Sequence, residues 1–152
     1  MKHLKKFNES NEEDIFSDES ILHDILSEYV ECDAKYTLKY KAFKIFDGQD
    51  FMPVGNELTK GFVNIPANYW ESQPNLHKGI QVSFSEFFKD GYFATDIQRG
   101  DNQRVFGVPN NNLYKFFEIT KDVQYRIESM GYFFLLSTHK NGEFDFMIIE
   151  NK

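Results

Sequence analysis

The sequence predicts an α+β fold, two helices packed on a mainly antiparallel sheet, from three observations. Apolar residues recur at helical spacing in two segments, near residues 17–32 and 113–130. They alternate with polar residues in three others, near 36–46, 80–84 and 134–149. Asp47-Gly48 and Asn141-Gly142 stand between apolar runs, where two-residue turns with positive φ join antiparallel strands.

The first helix follows an arm. Residues 1–16 read as a flexible N-terminal arm or leader and residues 17–152 as one α+β domain, with Ser10-x-x-Glu13 offering an earlier capping box. From Ser17 onward, an advance of about 100° per residue gathers Ile21, Leu22, Ile25, Leu26, Tyr29 and Val30 on one half of the wheel. Cys32 falls on the same half, which makes it a small core residue rather than a nucleophile.

The next strand spans residues 35–46. Tyr36, Leu38 and Tyr40 share one face, then the phase switches so that Phe43 and Ile45 take over, and this one-residue slip predicts a bulge near Ala42. The following thirty residues hold three of the four prolines and read as short extended pieces and loops. Ile80, Val82 and Phe84 mark a half-buried strand, and a Lys-Asp-Gly turn leads to another at residues 92–97. Asn110 to Asn112 offer caps for the second helix. Leu113, Phe116, Ile119, Val123, Ile127 and Met130 line one side of it, and Gly131 ends it as the C′ residue.

At the carboxy-terminal end, a two-residue turn at Asn141-Gly142 requires strand partners that sum to 283. His139 then faces Phe144, Ser137 faces Phe146, Thr138 faces Asp145 and Lys140 faces Glu143. Glu143 and Asp145 lie at a solvated tip, one opposite a lysine and the other opposite a threonine, so no acid/base pair forms and the ribbon reads as core packing. The run DGQDFM from Asp47 echoes NGEFDFM from Asn141, as a duplicated helix-strand-turn-strand unit would.

Composition narrows the function. A chain of 152 residues buries a single core, one cysteine excludes a disulfide framework, and no apolar run approaches a membrane span. Aromatic residues make up 17%, but 14 lysines against 3 arginines and 4 alanines indicate an AT-rich coding sequence as the cause. The net charge of −7 argues against nucleic acid as a partner. Ten acids and no Lys or Arg occupy residues 7–34, the pattern of a solvated acidic helix beside the basic strand that follows.

Motifs for chemistry are sparse. His3, His23, His77 and His139 show no metal-ligand spacing with one another or with Cys32, there is no glycine-rich phosphate loop or nucleophile elbow, and no cofactor is expected. Two features are candidate binding sites. Arg99 and Arg104, with Asp96 and Asp101 beside them, could grip a phosphate or carboxylate or pair among themselves. Trp70, with Tyr69 and His77, could anchor a protein partner or plug the core.

The opening MKHLKKFNES resembles the first residues of many small proteins of large tailed bacteriophages, and is similar to the capsid-targeting leader of T-even-type internal head proteins. Met1, Lys2, Leu4 and Phe7 carry the match, while Phe7-Asn8-Glu9 departs from the Leu/Ile-x-Glu context of the leader's cleavage site. The resemblance implies a phage accessory protein in the host cytoplasm. It implies alternatively an internal protein of the virion head. Together these readings give a non-catalytic interaction module with a protein partner, the alternative being a ligand-binding or enzymatic domain using the Arg99 to Arg104 loop.

Overall fold

The computed structural model describes residues 14–32, 34–47, 50–58, 61–62, 65–84, 110–138 and 144–152. In chain order the elements are α1 (Glu19–Leu26), a 3-10 helix (Ser27–Cys32), β1 (Tyr36–Phe46), β2 (Asp50–Leu58), α2 (Ala67–Glu71), β3 (Leu76–Phe84), α3 (Asn110–Ser129), β4 (Phe133–Thr138) and β5 (Phe144–Ile149). The five strands form one antiparallel sheet in the order β2-β1-β3-β5-β4, so the expected α+β class is the observed one. The strand expected at residues 92–97 lies outside the described residues.

Asp18 caps α1, its carboxylate accepting from the Ser20 amide at 3.0 Å. The first helix does not run on unchanged to Cys32 as the periodicity suggested. After Leu26 it tightens to three residues per turn, which eclipses positions three apart. Tyr29 and Cys32 therefore both face inward, whereas Val30, expected on the apolar half, is 73% exposed. The second helix is continuous and ends where the sequence placed its stop. Gly131 adopts φ +90, with the Gly131 amide donating to Glu128 O and the Tyr132 amide to Ile127 O, the paired bonds of a Schellman motif.

One face of the sheet carries Leu38, Tyr40, Ile80, Val82, Phe84, Phe144, Phe146 and Ile148, and α1, the 3-10 helix and α3 pack on it. At its centre Tyr29 is fully buried, with ring centroids 4.6 Å from Phe84 and 5.4 Å from Phe116. The Thr120 hydroxyl donates to Phe116 O at 2.7 Å, so its oxygen is left to accept from the Tyr29 hydroxyl at 2.8 Å. Burial drives the Tyr29 phenol well above its usual range.

The opposite face has its own apolar patch. Phe43 and Ile149 are buried yet stand outside the main core cluster. The bulge expected in β1 near Ala42 is not there, because β1 pairs with β3 without interruption from Tyr36↔Phe84 to Lys44↔Leu76. The irregularity at that level belongs to β2, where Leu58 faces Tyr40 but Val54 faces Ala42, leaving two extra residues in β2 near Gly55, at φ +73. Phe43 and Ile45 thus point away from Tyr36, Leu38 and Tyr40 by simple alternation.

The sheet curls toward this second face. Phe51 on β2 and Phe133 on β4 occupy the two edge strands, with rings 5.2 Å apart. Four strand intervals of a flat sheet would separate them by about 19 Å. Inside the curl the Phe43 ring lies over Gly79, so close that a Cβ there would stand 2.3 Å from Cε2.

The β4-β5 register differs by one residue from the expected one. Partners run from Phe133↔Ile149 to Thr138↔Phe144 and sum to 282. Five residues separate Thr138 from Phe144, an odd number that a two-residue turn in an unbroken ladder does not allow. His139, Lys140, Asn141, Gly142 and Glu143 lie outside the described residues. The slip flips the β4 side chains, so that Ser137 rather than Thr138 stands opposite Asp145 on the curled face, and the carboxylate expected to be solvated is 4% exposed. Its place is compensated by a row across four strands: Lys41 Nζ donates to Gln81 Oε1 at 2.7 Å, Gln81 Nε2 to Asp145, and Ser137 Oγ to Asp145 at 2.9 Å.

Gly79→Ala is expected to cost about 1–3 kcal/mol by forcing the Phe43 ring off its seat. Phe43→Ala alone should cost about 3–5 kcal/mol. The double variant should lose less than the sum, since the added methyl then enters vacated space, and urea unfolding of the four proteins measures that coupling.

Candidate functional site

The region around Trp70 is assembled by short-range and long-range constraints together. Pro66 precedes α2, and a five-residue helix has too few internal bonds to stand alone. Its anchor is Trp70, 4% exposed, packed edge-on against Phe62 at 5.6 Å and Tyr69 at 5.6 Å. The carboxy-terminal residues tie it down. Lys152 Nζ donates to Trp70 O at 2.7 Å and Gln73 O at 3.2 Å, occupying carbonyls at the end of α2. Glu150 is joined to β3 twice, its amide to Lys78 O at 2.9 Å and its carboxylate to the Lys78 amide at 3.1 Å. His77 Nδ1 lies 2.8 Å from Glu150 O, and because a carbonyl only accepts, that nitrogen carries the proton.

Two hollows flank the indole. The larger, about 590 Å³, is lined by Ala67, Glu71, Pro74, Lys78, Glu150 and Lys152 together with Trp70. The smaller, about 270 Å³, lies toward Lys44, Val54, Gly55, Leu58 and Tyr69. The Lys78 ammonium sits 5.7 Å from the Trp70 ring and 6.0 Å from Phe62, a cation over two aromatic faces. Trp70 Nε1 is buried and has no hydrogen-bond acceptor among the described residues. Such an orphaned donor costs about 1–3 kcal/mol.

A second cluster joins α1 to β1. His23 Nδ1 is 2.6 Å from the Tyr36 hydroxyl and Nε2 is 2.9 Å from Glu19 Oε1, while the Tyr40 hydroxyl donates to the other Glu19 oxygen. The carboxylate only accepts, so in the neutral ring Nε2 carries the hydrogen and Nδ1 accepts from Tyr36. Both imidazole nitrogens and both carboxylate oxygens are thus hydrogen-bonded within the cluster. The cluster is a latch that fastens α1 to β1. The Tyr40 hydrogen bond holds the Glu19 carboxyl below its usual range, and burial followed by Glu19 itself holds the Tyr40 phenol above its own.

Of the residues singled out in the sequence, Trp70 is in the wall between the hollows, Tyr69 is 45% exposed beside the smaller one, and His77 is buried beneath Glu150. Asp96, Arg99, Asp101 and Arg104 lie outside the described residues, as do Met1, Lys2, Leu4 and Phe7. Cys32 is buried, its thiol donating to Tyr29 O at 3.3 Å. Lys78, Glu150 and Lys152 were not foreseen, because only the β3-β5 pairing brings the chain end against α2. Among the described residues no three His, Cys, Asp or Glu side chains gather as a metal site, and no helix is long and apolar enough to cross a membrane.

Tyr29, Tyr40 and Tyr132 all ionise late; burial, then the nearby Asp14 charge, pushes Tyr132 up to about 12. Their unfolded counterparts ionise near 10.0, so their contribution to stability is intact below that pH and is lost as pH rises above it. Phenolate absorbance should therefore show a late-titrating group among the eight tyrosines, and Glu19→Gln should move one of them to lower pH. Unchanged titration would mean that the Glu19 to Tyr40 contact is not kept in solution. No protein-family model matches this chain, and neither a curated protein nor a solved structure is found to resemble it.

Proposed function

We propose that the chain is a non-catalytic interaction module that receives a segment of a partner protein in the larger hollow beside Trp70. The observation that carries this reading is the buried indole N–H without an acceptor among the described residues, in a ring that walls two adjoining hollows. A hollow of about 590 Å³ has the capacity of an ordinary small-ligand cleft, enough for a few side chains of a bound segment. A carbonyl or carboxylate of that segment supplies the missing acceptor, and Lys78 adds a positive charge beside it.

The likeness of the opening residues to phage leaders makes an accessory role in a tailed bacteriophage the setting for this activity, with a phage or host protein as partner.

The chain has one tryptophan, so its emission reports on this site alone. A partner recovered on the immobilised protein and then purified should shift Trp70 emission on titration. Ala67→Arg, an exposed change at the rim, should weaken binding roughly tenfold or more by filling the hollow. Full binding by the Ala67→Arg protein, or a partner that leaves the emission unchanged, would place the contact elsewhere.

A further inference from the structure

A different surface points to a second copy of the chain. The buried side of α3 is formed by Phe116, Ile119, Val123 and Ile127, yet large aromatic residues also occupy the side facing solvent. Tyr114 is 68% exposed and Tyr125 75% exposed. At about 100° per residue, Tyr114, Glu118, Lys121 and Tyr125 fall within an arc of about 60°, diametrically away from Val123. Their spacing of four, three and four residues is that of a coiled-coil seam, here about 16 Å long. Glu118 and Lys121 form no hydrogen bond or ion pair among the described residues, although Lys115 and Arg126 on the flank of the same helix pair with Glu31 and Glu28.

The order of these four residues is self-complementary in one direction only. Two parallel copies in register would set Glu118 against Glu118 and Lys121 against Lys121. Two antiparallel copies related by a two-fold axis set Tyr114 against Tyr125 and Glu118 against Lys121, each pair occurring twice. We infer that the solvent face of α3 is an interface between two copies of this chain, packed antiparallel, with paired tyrosines at the ends and two Glu118-Lys121 ion pairs at the centre. This surface is separate from the hollow at Trp70 and stands whether or not that hollow binds a partner.

Sedimentation equilibrium over a range of concentration tests it, with circular dichroism to confirm that each variant is folded. The wild-type chain should sediment as a dimer that dissociates on dilution. Glu118→Lys and Lys121→Glu should each weaken association roughly tenfold or more by placing like charges together, and the doubly reversed protein should recover it. Tyr125→Glu should leave a monomer. A wild-type chain that stays monomeric throughout overturns the inference, and so does a dimer indifferent to the single charge reversals.

Discussion

The structure depends on the burial of Tyr29. Its ring touches Phe84 and Phe116 and lies 6.4 Å from Phe146, so one side chain joins the 3-10 helix to α3 and to two central strands. A phenol in that position needs an acceptor, and Thr120 provides one, its own hydrogen being given to Phe116 O. The arrangement also accounts for the tightening of the chain after Leu26. A regular α-helix would carry Tyr29 and Cys32 progressively around its axis, whereas three residues per turn keeps both on the inner side. The helix pair is then held at its rim by Arg126 with Glu28 and Lys115 with Glu31, exposed pairs that align the elements more than they stabilise them.

The second constraint is the curl of the sheet. Phe51 and Phe133 can meet only if the two edge strands bend toward each other, and the bend is possible because Gly79 leaves room for Phe43 beneath them. The extra residues of β2 near Gly55 sit on the edge strand, where a disrupted ladder adds twist at least cost. Beyond the aromatic end, the same face turns polar through Lys41, Gln81, Asp145 and Ser137. Each donor in this row meets an acceptor on the next strand, so a buried carboxylate is accommodated without reactive consequence.

These two constraints also shape what the surface can do. The groups most suggestive of chemistry, His23 with Glu19 and the two tyrosines, are fully engaged in fastening α1 to β1. The unsatisfied group lies instead at Trp70, where the strand pairing delivers Glu150 and Lys152 to α2 and the indole N–H finds no acceptor among the described residues.

The sequence by itself determined the class of fold, the identity and continuity of the second helix with its stop at Gly131, and the inward face of the strand that carries Ile80, Val82 and Phe84. Each of these is local, set by periodicity and by the one residue that tolerates positive φ. Tertiary structure decided the rest. The last ribbon pairs with a sum of 282 rather than 283, which sets Ser137 opposite Asp145, and the carboxylate is met from its other side by Gln81, a residue 64 positions away. Val30 was driven outward by the packing of Tyr29, and the lining of the hollow by the meeting of β3 with the chain end. Helical and strand periods are written in neighbouring residues, whereas hydrogen-bond partners across a sheet and the walls of a cavity come from residues that share no sequence neighbourhood.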